Sequence, residues 1–268
     1  MFVASDPILP SAHRRIAPDT WRRIDFISDL HLAEDTPRTF EAWASYLRAT
    51  PADAVFILGD LFEAWVGDDA ADVGFEAQCA AALADAAGRR TVGHMVGNRD
   101  FIVGPDLLQA CGVEALPDPT LLEAFGQRVL LTHGDALCLD DVAYQRLRAQ
   151  VRDPVWQRAV LAKPLADRRV MARQMRSASQ MGKGSVETWS DIDLPASMAL
   201  LEQVDAAVLI HGHTHRPADE VLAPGHRRIV LSDWDLDHAH GNPRAEVLRW
   251  QAGGFERLAP DAASAPAG

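Results

Sequence analysis

The chain of 268 residues carries 26 basic and 38 acidic side chains, a formal net charge of −12, and 48% of its residues are apolar. These figures predict one large domain or two small ones with a full hydrophobic core, and they exclude global disorder. Without a run of about 18 to 20 apolar residues or a secretory signal, we expect a cytoplasmic protein or one lying on a membrane surface. The three cysteines, Cys79, Cys111 and Cys138, lack CxxC spacing, so we expect buried free thiols.

In chain order, the elements are expected to begin after a proline-containing tail, residues 1–20, and to end before a second tail, residues 259–268. The single domain would then span residues 21–258. Two apolar runs, 24–28 and 54–58, predict buried strands. Apolar residues at helical spacing lie between these runs and complete a βαβ unit: Phe40, Trp43, Tyr46 and Leu47. The remaining core is predicted as strands 90–96, 128–132, 206–210 and 228–231, a helix over 75–87, and a hairpin of 245–251 and 255–258.

Residues 142–190 differ from the rest of the chain because they contain no strand-like run. Their apolar residues recur at helical spacing with charges between them, as at Tyr144, Leu147 and Val151. The segment carries ten basic side chains against three acidic ones, a balance of +7 that leaves −19 for the remainder. We predict a helical insertion between two core strands.

Five short segments place oxygen or nitrogen donors directly after predicted strands: Asp29-Leu30-His31, Gly59-Asp60, Gly97-Asn98-Arg99-Asp100, His133-Gly134-Asp135 and His211-Gly212-His213. Residues two apart on an extended chain point to the same side, so Asp29 and His31 can close on one cation. The same holds for His211 and His213. Carboxylate, amide and imidazole donors together suit Mn²⁺, Fe²⁺, Zn²⁺ or Co²⁺. Two ions about 3.5 to 4 Å apart that share Asp60 would use the whole set and form a clamp for phosphoester hydrolysis.

Each segment also has a simpler interpretation. A single Gly-Asp after a strand usually forms only a turn, so Asp60 alone is weak evidence of function. His94, in a predicted strand, is expected to be a hydrogen-bonded core side chain. The scattered histidines are expected to be solvated: His13, His226, His238 and His240. Turns do not explain five donor segments that each follow a strand, and the set therefore predicts a site for two ions.

The motifs Asp-x-His, Gly-Asp, Gly-Asn-x-Asp, His-Gly-Asp and Gly-His-Thr-His, in this order, resemble the signature of the calcineurin-like metallophosphoesterases over residues 24–234. The resemblance implies an α/β fold, a four-layer αββα sandwich of two mixed sheets. It also implies a division of ligands between two Mn²⁺ ions. One ion would take Asp29, His31, Asp60 and His213, and the other would take Asp60, Asn98, His133 and His211.

The residue at position 99 narrows the resemblance to superfamily members of one substrate type. Generic members of the superfamily have a histidine after the asparagine of the third motif, whereas Arg99 follows Asn98 here. An arginine can hold a non-bridging phosphate oxygen but does not readily act as a general acid. A leaving group that departs as a stable phosphate needs no such acid, so Arg99 favours a pyrophosphate bond over an alkyl phosphodiester. The implied catalytic residues are Asp60, Asn98 and Arg99.

Three longer strings, residues 57–69, 97–101 and 210–217, resemble the superfamily members that act on UDP-2,3-diacylglucosamine in the lipid A pathway. This resemblance implies hydrolysis to UMP and 2,3-diacylglucosamine 1-phosphate, by attack of a metal-bridging hydroxide on the α-phosphorus. It implies a lipid-linked UDP-sugar substrate and a peripheral protein on the anionic cytoplasmic face of the inner membrane. Residues 142–190 would form a lid whose apolar side chains line an acyl chamber and whose arginines meet head groups. Alternatively, Met171 and Met175 only pack against the core and the arginines are solvated.

The resemblance also implies six substrate contacts: Asn98, Arg99, Asp141, Ser179, Lys183 and His211. Asp141 follows the His-Gly-Asp motif, and Ser179 matches a serine of the family's insertion. An ungapped alignment places Lys183 where the family has an asparagine and Val186 where it has a lysine. We expect Lys183 to supply the missing charge.

Two alternative functions stay open. The first is another dinuclear metallophosphoesterase, either a nuclease or a small phosphodiesterase. The net charge of −12 and the lack of an aromatic and basic stripe disfavour the nuclease, and Arg99 disfavours the diesterase. The second is a non-catalytic scaffold on the same fold, which the intact ligand set disfavours. We expect a monomer that binds no nucleic acid.

Overall fold

Two six-stranded sheets face each other in the computed structural model, which describes residues 11–182, 191–238 and 243–265, with backbone alone for 176–182. The strands are β1 (His13–Ile16), β2 (Ile24–Ile27), β3 (Ala54–Leu58), β4 (Thr91–Met95), β5 (Glu114–Ala115), β6 (Thr120–Ala124), β7 (Gln127–Leu131), β8 (Val208–His211), β9 (Ala218–Ala223), β10 (His226–Val230), β11 (Val247–Gln251) and β12 (Gly254–Leu258). The helices are α1 (Pro37–Ala49), α2 (Gly74–Ala87), α3 (Pro105–Cys111), α4 (Val142–Val151), α5 (Pro154–Leu161), α6 (Leu165–Gly182), α7 (Leu194–Val204) and α8 (Pro260–Ala263).

Both sheets are mixed. The first has the order β1-β6-β7-β8-β10-β9, and the second has the order β12-β11-β2-β3-β4-β5. In the second sheet β2, β3, β4 and β5 run parallel, and in the first β7, β8 and β10 run parallel. Because parallel strands end at the same edge of a sheet, the loops that follow them gather there.

The molecule has a four-layer αββα architecture. Three layers of hydrophobic core lie between its helices and sheets. The layer between the sheets includes Phe26 and Phe56, whose ring centroids are 6.0 Å apart, and Trp250. A second layer joins α1, α2 and α3 to the outer face of one sheet, around Trp43 and Leu83. A third layer packs α7 against the other sheet. The predicted fold class is confirmed.

The predicted tails are wrong where the structure describes them. Residues 13–16 form β1, which pairs in parallel with β6, so the first sheet begins before residue 21. At the other end α8 packs through the buried Ala263, whose carbonyl accepts a hydrogen bond from Arg249 at 2.8 Å. Short edge elements such as these have weak sequence signals because few of their residues are buried. Cys79, Cys111 and Cys138 are buried and form no disulfide, as expected.

The segment from residue 142 to residue 182 is helical and lies between β7 and β8. It consists of α4, α5 and α6, and residues 183–190, which belong to the same predicted insertion, lie outside the described part of the chain. Its role as a lid stays a prediction. Within the described residues, the length and hydropathy of the helices fall short of what a membrane crossing requires.

Candidate metal centre

The five donor segments meet where strands from both sheets end. Asp29 follows β2, Asp60 follows β3, and Asn98 follows β4 by three residues. From the other sheet, His133 comes after β7 and His213 after β8. The backbone N–H of His213 donates to Asp29 Oδ2 at 2.9 Å, which joins the edges of the two sheets directly.

The backbone at this edge is strained. Seven non-glycine residues in the described chain have positive φ, and five of them lie here: Asp29, His31, Asp60, His213 and His215. Such conformations cost free energy and persist where the surrounding structure enforces them, often at functional sites. The neighbouring glycines are required by close packing, because a Cβ on Gly97 would clash with Asp60 and a Cβ on Gly59 would clash with His133.

One group of donors consists of Asp29, His31, Asp60 and His215. His31 Nε2 lies 3.1 Å from His215 Nε2, 3.9 Å from Asp60 Oδ2 and 4.0 Å from Asp29 Oδ1. His215 Nε2 lies 3.4 Å from Asp29 Oδ1. Both carboxylates are buried and the two imidazoles are partly exposed. These atoms face one small volume from several directions, as the ligands of a cation do.

A second group consists of Asn98, His133 and His213, with Asp60 shared. Asn98 Oδ1 lies 2.9 Å from His133 Nε2 and 2.8 Å from His213 Nδ1. Asp60 Oδ1 lies 3.7 Å from His133 Nε2. His133 Nδ1 donates to the carbonyl of Leu58 at 2.9 Å, so in the neutral ring Nε2 carries a lone pair that faces the amide oxygen. Lone pairs that converge in this way fit a bound cation.

The pKa values of the donor side chains indicate that the buried carboxylates favour positive charge beside them. Burial alone would lower the pKa of His133, but Asp60 and Asp29 raise it to about 9. Burial would raise the pKa of the Asp29 carboxyl, yet the hydrogen bond and charge of His215 hold it well below its ordinary value. Burial, together with the neighbouring charge of His133, lowers the pKa of His213 to about 3. In the absence of a metal ion, the carboxylates would therefore draw a proton to His133, while His213 would stay neutral.

The structure does not bring His211 into either group and replaces it with His215. His211 is fully buried at the end of β8, its Nδ1 donates to the Gly212 carbonyl at 2.8 Å, and its Nε2 has no hydrogen-bond partner among the described residues. Beyond His211 the chain turns, with φ of 66° at His213 and 52° at His215. The extended-chain rule used for His211 and His213 fails at this turn. The Gly-His-Thr-His motif begins at Gly212, so the sequence itself contained the signal for His215.

Three carboxylates outside the predicted set hold the donors in place. Glu63 Oε2 accepts a hydrogen bond from His31 Nδ1 at 3.0 Å, and Asp233 Oδ2 lies 3.4 Å from His215 Nδ1. Asp100 is fully buried and accepts hydrogen bonds from Gly97 N at 2.7 Å and Leu61 N at 2.9 Å. His94, the expected core histidine, lies 3.1 Å from Asp100. Outer carboxylates of this kind orient metal-binding imidazoles and raise their basicity.

The predicted substrate contacts differ in their placement. The backbone N–H of Arg99 donates to Asp60 Oδ1 at 2.8 Å, and its guanidinium lies 3.8 Å from Glu63. Asp141 is the N-cap of α4, where its side chain accepts from Tyr144 N at 2.9 Å. Ser179 belongs to the backbone of α6, but its side chain lies outside the described part, as does all of Lys183.

A mainly apolar cavity of about 170 Å³ lies between the metal centre and the helical insertion. Its polar lining includes Asn98 and Arg99, together with the charged Glu63 and Arg168. The apolar lining comes from both the core and the insertion: Trp65, Ile102, Leu147, Trp156, Met171 and Met175. Met171 and Met175 thus line a space shared with Asn98 and Arg99, and the acyl chamber stays a prediction.

A sequence model of the calcineurin-like phosphoesterases matches residues 22–217. The chain belongs to this family. A protein of Chromobacterium violaceum named UDP-2,3-diacylglucosamine hydrolase is 46% identical over 244 residues, which cover 88% of this chain and 98% of that protein. A Bordetella pertussis protein of the same name is 47% identical over 221 residues, 79% of this chain and 85% of its own. Vacuolar protein sorting 29 of Cryptosporidium parvum aligns with a TM-score of 0.45 at 14% identity, over 89% of this chain and 96% of that chain.

The donor set fits the metal chemistry of the calcineurin-like phosphoesterases. Among the described residues, Asp29, His31 and His215 place one ligand atom each within 4.8 Å of one another, and so do Asp29, Asp60 and His133. Oxygen and nitrogen donors without thiolate suit divalent cations such as Mn²⁺, Fe²⁺ or Zn²⁺. The predicted metal-dependent phosphoesterase is confirmed at this level.

Proposed function

We propose that the protein hydrolyses the pyrophosphate bond of UDP-2,3-diacylglucosamine to UMP and 2,3-diacylglucosamine 1-phosphate, a step of the lipid A pathway. The structural observation that carries this proposal is the apolar cavity that opens onto Asn98 and Arg99 beside the metal centre. A nucleotide sugar without acyl chains has no large apolar group that could pack against such a lining. The curated relatives with 46% and 47% identity carry the name of this hydrolase.

The proposed cofactor is a pair of Mn²⁺ ions that share Asp60. One ion would be held by Asp29, His31, Asp60 and His215, and the other by Asp60, Asn98, His133 and His213. This division keeps six of the seven predicted ligands, moves His213 from the first ion to the second, and adds His215 to the first ion in place of the excluded His211. When bound, such ions supply Lewis acidity and lower the pKa of a coordinated water.

The side chains around the centre position the substrate. The Arg99 guanidinium, held near Glu63, is placed to bind a non-bridging phosphate oxygen with a planar pair of donors. Charge that develops on this oxygen in the transition state would be stabilised by a group already in place. The leaving group is a phosphate monoester, which departs without a general acid, and this agrees with an arginine at this position.

The helical insertion would cover the acyl chains. Leu147, Trp156 and Met175 supply its side of the cavity, while Trp65 and Ile102 belong to the core. Chains buried there would gain about 0.8 kcal/mol per methylene removed from water. The insertion would therefore determine preference for acylated over unacylated substrates.

The outer surface of the insertion supports the proposal of an anionic membrane as partner. Among the described residues, ten large hydrophobic side chains are exposed, and six lie on the insertion, of which four do not line the cavity: Val142, Val155, Leu161 and Val170. Exposed basic side chains accompany them, including Arg146, Arg158 and Lys163. A surface that is both apolar and basic suits a peripheral position on the cytoplasmic face of the inner membrane.

Product analysis in ¹⁸O-labelled water tests the proposed reaction. With Mn²⁺ and UDP-2,3-diacylglucosamine, we expect one labelled oxygen in UMP and none in the lipid phosphate, because attack is at the α-phosphorus. Replacing Asp60, the shared ligand, by Ala should abolish release. Label in the lipid phosphate, or UDP as the nucleotide product, would contradict the reaction as proposed.

A further inference from the structure

One face of α4, the first helix of the insertion, contacts the metal centre. Four side chains from α4 and its C-cap reach the loops that carry donors of the second group: Tyr144, Gln145, Arg148 and Arg152. Positions four apart on a helix lie on the same side, so 144, 148 and 152 form a continuous row. The insertion therefore touches the metal-binding loops as well as the cavity.

Asp135 is the point where most of these contacts meet. It lies two residues after His133 and is fully buried. Its Oδ2 accepts from Tyr144 Oη at 2.6 Å and from Arg148 Nε at 2.9 Å. The Gln145 side-chain amide donates to the backbone carbonyl of Asp135 at 2.8 Å. Because this carboxylate is out of contact with water, α4 determines the position of the loop that carries His133.

Arg152 extends the support to the loop that carries Asn98. Its Nη2 donates to the carbonyl of Gly97 at 2.9 Å and to that of Val96 at 3.3 Å, and it lies 3.8 Å from Asp135 Oδ2. Gly97 directly precedes Asn98. A single guanidinium thus bridges two loops whose donor atoms, His133 Nε2 and Asn98 Oδ1, are 2.9 Å apart.

We infer that Arg152 is a positioning residue that fixes the separation of Asn98 and His133 and thereby the affinity of the second metal position. The inference rests on the proposed two-ion centre. It makes the insertion part of the metal site, so that occupancy of the cavity and occupancy of the second metal position are coupled. Because such coupling is reciprocal, substrate that holds the insertion in place should tighten the second ion.

The test compares full-length wild type with Arg152→Gln, Arg152→Lys and a control, Arg48→Gln, which changes an exposed arginine on α1. Mn²⁺ binding is followed by calorimetric titration, and electron paramagnetic resonance distinguishes single ions from coupled pairs. Loss of an outer support typically weakens metal binding 10- to 100-fold. We expect Arg152→Gln to weaken the second ion by at least about tenfold, to leave the first ion unchanged, and to lose the coupled-pair signal at limiting Mn²⁺.

Further outcomes separate the inference from a general structural role. Arg152→Lys should recover part of the second-ion affinity, because a lysine can donate to one carbonyl. At saturating Mn²⁺ the kcat of Arg152→Gln should return towards wild type with KM unchanged. Equal weakening of both ions, or two-ion affinities within twofold of wild type, would overturn the inference alone. A wild type that binds a single ion would overturn the proposed centre as well.

Discussion

At the level of single residues, His215 belongs to the candidate metal centre, whereas His211 lies outside it. His215 Nε2 lies 3.1 Å from His31 Nε2, whereas His211 is enclosed at the end of β8. We predict that His215→Gln loses bound Mn²⁺ and at least about a hundredfold in kcat, because a direct ligand matters more than an outer support. His211→Gln should keep both ions. Metal content by mass spectrometry and kcat measure this pair, and metal loss in His211→Gln alone would reverse the assignment.

Most of the site could be predicted from the sequence because its donors follow strands with clear apolar signals. Asp29, Asp60 and His133 each come within two residues of such a strand. Glu63 and Asp233 could not be predicted, since only the fold brings them to the rings of His31 and His215. His215 was missed for a different reason: positive φ at His213 and His215 breaks the alternation on which the prediction relied.

Asp100 gives the site a pH-dependent stability. Burial would raise the pKa of its carboxyl, but His94 and the backbone N–H of Gly97 lower it below the ordinary value. A carboxyl with a lowered folded pKa stabilises the protein above its unfolded pKa, about 3.9, and this contribution is lost as the pH falls towards the folded pKa.

We therefore predict that Asp100→Asn lowers the free energy of unfolding of the metal-free protein at pH 7 by about 2 kcal/mol, because buried donors lose a charged acceptor. The dependence of that free energy on pH between about 5 and 3 should become shallower. Urea unfolding at several pH values measures both effects. The control is Asp106→Asn, at an exposed position on α3; an equally steep profile in Asp100→Asn would contradict the role given to this carboxylate.

At the level of elements, the string Gly67-Asp68-Asp69 connects the core to the insertion. Asp68 accepts from Gly104 N and Leu107 N, both at 3.0 Å, and so caps α3. Asp69 receives both terminal nitrogens of Arg168, one at 2.8 Å, and Arg168 also donates to the carbonyl of Val66. This string was used only as a sign of resemblance, and the structure gives it a physical role as the anchor of α6.

Weakening this anchor should loosen α6. In Asp69→Asn we expect faster hydrogen exchange over α6 and a KM for the diacylated substrate raised up to about fivefold, since an ion pair with an exposed partner contributes up to about 1 kcal/mol. Asp72→Asn, an exposed change three residues away, is the control. If exchange over α6 is the same in both variants, the anchor is not formed by Asp69.

The elements themselves were predictable where apolar residues dominate. The strands β3 and β7 were predicted from short apolar runs, the helices α1 and α2 from apolar residues over a longer stretch, and the hairpin of β11 and β12 from its glycines. β1 and β9 were missed because edge strands expose one side, and β9 leaves Val221 81% exposed. α7 was missed although it begins at a capping residue, Asp193, whose side chain accepts from Ala196 N at 2.7 Å.

For the whole molecule, the basic charge of the insertion has two uses. The guanidinium groups of Arg148, Arg152 and Arg168 bind the core, so they are not free to meet head groups. Arg146, Arg158 and Lys163 are exposed and remain available for an anionic surface. Within a chain of net charge −12, the insertion of +7 therefore contains basic residues that bind the core and others that are exposed.

We predict that changing Arg146, Arg158 and Lys163 together to Gln weakens binding to phosphatidylglycerol vesicles about a hundredfold, because each basic residue near such a surface contributes about 1 kcal/mol. Co-sedimentation at two salt concentrations measures the effect, with phosphatidylcholine vesicles for comparison. The matched control changes Arg22, Arg38 and Arg48 to Gln. Equal loss in both triple variants would show that overall charge, and not the insertion, decides binding.

The most direct test of the central claim is a comparison of kcat/KM for UDP-2,3-diacylglucosamine, UDP-N-acetylglucosamine and an aryl phosphodiester by the Mn²⁺-loaded protein. Because the cavity between α4, α6 and the core is apolar and opens onto Asn98 and Arg99, we expect the diacylated substrate to be preferred by at least about a thousandfold, the equivalent of about 4 kcal/mol. Chelation should abolish activity on every substrate. Equal or faster hydrolysis of the unacylated nucleotide sugar would contradict the assignment.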